Sequence, residues 1–316
     1  MARTIPSLQT LDVSGNGLLS IDVTNLPNLR NLNVDSNRIS KVHGLFTLNE
    51  IETLSWRNQT QAESQDALVL QIDDCCEVKF LYLSGNNFTT FNLETTFYNL
   101  QTLELASVGL QSLSPTFGLE MPNLRSLNLN HNALKDIRPL LGIVKLGKLH
   151  LAGNRISRLR RTTSVLTKLG DRLEELDLRG NPLTVGFYPQ PTAGHGNSER
   201  RLVVTSSDAS NNPTTANQEK REEDDDPNQA QQTVAALRYL LPHADHDLDQ
   251  EHRRRLDEDT ALRRRVYEML VLGGCKGLGR MDGLALERGG KGRKDGVWER
   301  LMELGVLRGK KERGGG

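Results

Sequence analysis

Leu124-Arg-Ser-Leu127-Asn-Leu129-Asn-His-Asn132 is the stretch on which the reading of this chain turns. Apolar residues at 127 and 129 flank one polar position, the alternation of a strand that buries one face and shows the other. Leu124 lies one short turn upstream and Asn132 closes the motif, giving L-x-x-L-x-L-x-x-N. Working outward, the same frame returns at Leu146, Leu149, Leu151, Asn154 and at Leu173, Leu176, Leu178, Asn181. Upstream it appears at Leu100, Leu103, Leu105 with Val108 in the Asn place, and at Val78, Leu81, Leu83, Asn86. Three more copies are Ile51, Leu54, Trp56 with Gln59; Leu29, Leu32, Val34, Asn37; and Leu8, Leu11, Val13, Asn16. The steps between the eight copies are 21, 22, 27, 22, 24, 22 and 27 residues.

Such periods define a leucine-rich repeat, and the expected fold is an α/β solenoid with a curved parallel β-sheet and short helical or 3-10 convex segments. A single strand cannot bury its own leucines, but stacked copies share one continuous core. Each buried apolar side chain then contributes roughly 1.5–3 kcal/mol. The Asn can satisfy main-chain groups at the turn and form a ladder between copies. Gln59 and Val108 are expected to break it, with an unpaired donor at the fifth copy costing on the order of 1–3 kcal/mol. The 27-residue steps leave room for about one extra helical turn.

Total charge narrows the partner class. Lys plus Arg and Asp plus Glu both number 40, so no global basic excess points to nucleic acid or a membrane surface. Hydrophobic content of 36% and aromatic content of 4% are low, so leucine must carry the core. Cys75, Cys76 and Cys275 fit neither a disulfide framework nor a zinc spacing, and Cys275 is expected as a small buried residue. No stretch suggests a signal peptide or a membrane span, which implies an intracellular protein; the sequons at Asn58 and Asn87 are then chance matches. Phosphate-loop, H-E-x-x-H and G-x-S-x-G motifs are missing, the seven histidines are scattered, and the acidic stretch that holds His243 and His246 reads as a loop rather than a metal site. No enzyme activity, cofactor or metal is expected.

The concave face is the expected binding surface, built from the outward positions of each strand. It carries Asp12, Asn33, Asp35, Arg57, Phe80, Tyr82, Glu104, Asn128, Lys148, His150, Asp177 and Arg179. Arg57, Phe80 and Tyr82 lead the set, because aromatics and arginine concentrate binding energy at interfaces. Mixed charge suits protein partners better than a phosphate backbone.

The solenoid is expected over 1–188. Residues 189–228, rich in Pro, Gly, Ser, Asn and Thr and holding the acidic run 220–226, are expected as a disordered insertion. A helical C-terminal cap is expected over 229–307 and a basic Gly-rich tail over 308–316. Within the cap a short helix ends before Pro242. A second spans 257–272, with Leu262, Val266, Met269 and Leu270 on its buried face and Arg263, Arg264 and Arg265 exposed. Gly273 and Gly274 stop it, 278–284 reads as one more repeat edge, and 297–304 is amphipathic. The first repeat begins within eight residues of Met1 with no cap before it, as expected of a piece of a longer chain.

Three blocks add a resemblance: Leu256-Asp-Glu-Asp-Thr-Ala-Leu-Arg-Arg-Arg-Val-Tyr-Glu-Met-Leu270, then Gly180-Asn-Pro-Leu-Thr-Val-Gly-Phe-Tyr188, then Asp295-Gly-Val-Trp-Glu-Arg-Leu-Met-Glu-Leu-Gly-Val-Leu307. With Cys275 and Met281-Asp-Gly-Leu284, they resemble the C-terminal region of the fungal spindle-pole-body scaffolds of the septation initiation and mitotic exit networks, which are related to centriolin. The resemblance implies a non-catalytic platform for a small GTPase module, kinases, a Mob-type kinase activator and spindle pole body components. Generic repeat adaptors, such as regulatory subunits of protein phosphatase 1 or spliceosomal repeat proteins, share the Asp282-Gly283 edge but lack the block from Leu256 to Leu307.

Overall fold

The computed structural model describes residues 4–59, 77–88, 90–170, 172–189, 238–286 and 296–303. The strands, in chain order, are β1 Thr10–Asp12, β2 Ser20–Asp22, β3 Asn31–Asn33, β4 Lys41–His43, β5 Thr53–Ser55, β6 Phe80–Tyr82, β7 Thr102–Glu104, β8 Ser126–Asn128, β9 Lys148–His150, β10 Glu175–Asp177, β11 Arg280–Met281 and β12 Leu284–Ala285. Ten of them form one sheet in the order β1-β3-β5-β6-β7-β8-β9-β10-β11-β12, parallel except for the final pair. The chain is a leucine-rich-repeat solenoid.

Register follows the repeat directly. Leu11, Leu32, Leu54, Leu81, Leu103, Leu127, Leu149, Leu176 and Met281 stand opposite one another across nine strands. From Leu32 onward every member of that column is buried, while Leu11 in the first copy is half-buried. The turn after each of the eight parallel repeat strands of the large sheet passes through a left-handed residue just before the ladder position: Gly15, Ser36, Asn58, Gly85, Ser107, His131, Gly153 and Gly180 all have φ between 52 and 74°.

The ladder is more complete than the sequence suggests. In the regular copies the Asn side-chain oxygen accepts the main-chain N–H two residues past the preceding ladder position, as Asn132 does for Leu110 at 3.0 Å. Its amide donates to two carbonyls, for Asn132 those of Leu105 and Leu129. Gln59 does the same work: its Oε1 accepts from Ile39 N–H at 2.9 Å and its Nε2 donates to the Val34 and Arg57 carbonyls. At Val108 the donor expected to be orphaned, Phe88 N–H, is taken up by the Val108 carbonyl at 2.8 Å. The expected break at Gln59 and the expected unpaired donor at the fifth copy are therefore corrected. A glutamine is long enough to reach the same groups, and a main-chain carbonyl substitutes where the side chain cannot accept.

On the convex side, short 3-10 turns at Leu45–Thr47 and Arg138–Gly142 and one helical turn, α1 Phe117–Glu120, suit the shorter repeats. The last 27-residue step holds a true helix, α2 Leu159–Leu169. The earlier one lies largely outside the described residues. In the first two repeats the outer side instead forms a second small sheet, in which β2 pairs parallel with β4.

The C-terminal end is helical. α3 His246–Arg254 begins at Asp245, whose carboxylate accepts from Asp247 and Leu248 N–H; α4 Glu258–Gly274 begins at Asp257, which accepts from Thr260 N–H. These caps satisfy first-turn donors and place negative charge at the positive helix end. α4 matches its expected span, but its buried face differs. Thr260, Arg264, Tyr267, Glu268 and Val271 are buried together with Met269, whereas Leu262 is 49% exposed. Arg264, expected to be exposed, is 1% exposed: it donates to both Asp249 oxygens at 2.8 and 2.7 Å and to Glu268 at 2.9 Å. α4 crosses α2 closely, because Gly170 and Gly274 have no side chain to keep them apart. Cys275 is buried beside the Leu166 carbonyl as expected. The sheet ends in the hairpin β11–β12, turned by Asp282 (φ 52°) and Gly283 (φ 82°), the signs of a two-residue type I′ turn. α5 Gly296–Glu303 lies against α4. Residues 238–240, expected at the end of a short helix, form a turn; 190–237 and 304–316, which hold the expected insertion and tail, lie outside the described residues.

Candidate functional site

The concave face is set by strand alternation, which leaves the residues beside each central Leu on the open side of the sheet. Its residues gather in three groups. The first centres on Arg57. Its Nε and Nη2 donate to the two Glu104 oxygens at 2.7 and 3.2 Å, and its Nη1 donates to Asp35 at 3.2 Å and Ser55 at 3.0 Å. The guanidinium carbon lies 4.3 Å from the centre of the Tyr82 ring. Burial alone would lower the Arg57 pKa, but hydrogen bonds and charge from Glu104 and Asp35 raise it, so it stays cationic. Burial pushes the Tyr82 hydroxyl above its ordinary value, keeping it neutral. Phe80 stands two residues before Tyr82 on the same side of β6.

Asn128 and Asn130 make the second group. Both side-chain amides donate to the main-chain carbonyl of Tyr239, each at 3.1 Å. Tyr239 arrives from the chain beyond the repeats, and its hydroxyl donates to the Asn58 side chain. The third group lies on β9, β10 and the loop after it. Lys148 is exposed and His150 is buried, with its pKa lowered mainly by desolvation. Asp177 receives Arg179 Nε at 3.0 and 3.1 Å and Nη2 at 2.6 Å. At the N-terminal end Asn33 donates to Asp12 at 2.9 Å.

The face is thus less open than strand alternation alone implies. Arg57, Glu104, Asn128, His150 and Asp177 are all 9% exposed or less. Parallel strands about 4.8 Å apart bring successive polar side chains within pairing distance. The segment 239–244 also runs over the loop edge toward the terminal hairpin, where Ala244 N–H donates to the Gly283 carbonyl. Phe80, Tyr82 and Arg179 remain half-exposed and Lys148 is exposed. Sequence reading passed over Asn58, Asn130 and Tyr239. Asn130 follows Leu129 as Arg57 follows Trp56, so its place in the repeat was a usable signal; nothing local marked Tyr239.

Beside this face, a groove of about 1290 Å³ separates the loops of the last repeats from the cap. Pro182, Val185, Leu241, Pro242 and Leu248 line it, with His131 and His252 among its polar walls. Among the described residues no cluster of His, Cys, Asp or Glu could hold a metal, and no helix is long and apolar enough to cross a membrane.

Comparison with known proteins gives leucine-rich-repeat family matches at residues 98–156 and 7–29. The septation initiation network scaffold protein cdc11 of Schizosaccharomyces pombe is 35% identical over 169 residues, covering 54% of this chain and 16% of that protein. Tsukushi of Gallus gallus is 29% identical over 164 residues, 46% of this chain and 42% of that protein. The chain therefore matches less than half the length of either relative. Among solved structures, internalin C2 from Listeria monocytogenes has 27% identity and a TM-score of 0.45 over 55% of this chain and 72% of its own. A leucine-rich-repeat protein of Leptospira interrogans has 27% identity and a TM-score of 0.47 over 57% and 47%.

Proposed function

We propose that this chain is a non-catalytic protein–protein interaction scaffold of the septation initiation (mitotic exit) network, acting at the spindle pole body. The observation that carries this reading is the 35% identity over 169 residues with the fission-yeast scaffold of that network. The architecture supports it: the solenoid offers a long rigid face and the polar clusters on that face are saturated with one another, as suits recognition rather than chemistry. The partners implied are a small GTPase module, kinases and a Mob-type kinase activator. They would dock on the open part of the concave face, where Phe80 and Tyr82 supply aromatic surface and Lys148, three strands further along, supplies a charge.

The test is affinity capture of the tagged chain from mitotic fungal cells, with its position followed by fluorescence. Recovery of the GTPase module or the Mob-type activator with a polar signal is expected. A folded Phe80→Ala/Tyr82→Ala variant should lose those partners. Recovery of phosphatase or spliceosomal subunits with no polar signal would leave only a generic repeat adaptor.

A further inference from the structure

Tyr239 is held against the repeats in a way its neighbours are not. It is 6% exposed, whereas Arg238, Pro242 and His243 are exposed and Leu240 and Leu241 are half-exposed. Its main-chain carbonyl takes two side-chain amide donors, Asn128 and Asn130, at 3.1 Å each. Its phenol reaches Asn58, 181 positions away in sequence, and so lies across the strand ends from β8 to β5. Gly85 completes the seat: a Cβ there would overlap both the Tyr239 hydroxyl and the Asn58 amide oxygen.

These contacts specify little about the chain that supplies them. Two amides on a carbonyl would accept the backbone of any peptide turn at that point, and the slot over Gly85 asks for a tyrosine. We infer that the loop edge of β5 to β8 is a docking seat for a peptide turn bearing a tyrosine, and that Tyr239 occupies it as an internal stand-in which such a partner displaces. The inference rests on the reading of the concave side as the partner-binding side. Because the internal tyrosine belongs to the same chain, it competes with an incoming segment without any loss of association entropy, so that segment binds far better when it is removed.

The test uses the full chain and a fluorescein-labelled peptide of residues 238–245, Arg-Tyr-Leu-Leu-Pro-His-Ala-Asp. By fluorescence anisotropy the Tyr239→Ala chain should bind this peptide at least tenfold more tightly than the unaltered chain. Replacing the peptide's tyrosine with alanine, or adding Asn128→Ala/Asn130→Ala to the chain, should cost at least tenfold. Equal binding to both chains, or to neither, overturns the proposal. An independent readout needs no variant: tetranitromethane should nitrate Tyr98, which is 66% exposed, well before Tyr239. Equal nitration also overturns the proposal. Peptide binding that survives while network proteins fail to be captured would sink the network assignment alone. Captured partners without peptide binding would sink the seat alone.

Discussion

Three donors converge on the Asp282 carboxylate beneath the cap: Leu178 N–H at 2.7 Å, the Tyr188 hydroxyl at 2.5 Å and the Tyr267 hydroxyl at 2.7 Å. Burial first, and the nearby Asp177 second, push its pKa up to about 6 despite those bonds. The folded chain therefore keeps a proton there that the unfolded chain has lost, across about pH 4 to 6. Stability from this group falls as pH rises through that window, by on the order of 3 kcal/mol, and is flat above it. Asp282→Asn keeps an acceptor for Leu178 and tolerates the left-handed backbone. Thermal unfolding from pH 4 to 7 should show this variant losing the slope and matching or exceeding the unaltered chain at pH 7. Asp282→Ala strands three donors and should cost about 2–4 kcal/mol at pH 7 and more at pH 4, where the unaltered chain keeps the stability of its protonated carboxyl. In the column of leucines, Leu127→Ala should cost about 2–5 kcal/mol in urea unfolding. That column was plain in the sequence, because spacing alone determines which residues share a face. The ladder's exceptions were not: whether Gln59 reaches, or the Val108 carbonyl turns inward, depends on the path of the neighbouring turn.

Elements were legible in proportion to how local their causes are. The span of α4 was readable from Asp257 and the two glycines, but its buried face was not. Hydrophobicity favoured Leu262, whereas the helix docks through Arg264 because Asp249 on α3 and Glu268 supply its counter-charges. Arg264→Ala would leave those carboxylates buried without their main partner, and we expect a loss of about 3–5 kcal/mol. Circular dichroism during thermal unfolding would register it. On the convex side α1 touches the 138–142 turn where Gly118 meets Gly142 main chain to main chain. Gly142→Val should force the two apart and cost about 1–3 kcal/mol by the same measurement.

At the scale of the whole molecule each repeat leans only on its neighbours, so stability is passed along the array. Gly274→Val should lift α4 from α2. Hydrogen exchange should then rise in β9 and β10 before it rises in β6 and β7; a uniform rise along the sheet would contradict nearest-neighbour coupling. The candidate site shows the same division between near and far. Arg57, Tyr82 and Glu104 were placed together by repeat register, while Tyr239 reaches Asn58, Asn128 and Asn130 through a fold closure that no local pattern announces. The Asp282-Gly283 hairpin carries one last implication, for how such a chain lengthens through evolution. Because β12 turns back on β11, a duplicated repeat cannot be appended beyond it. Growth must occur by insertion upstream, each new unit widening the array by one strand spacing of about 4.8 Å and leaving the closing turn where it is.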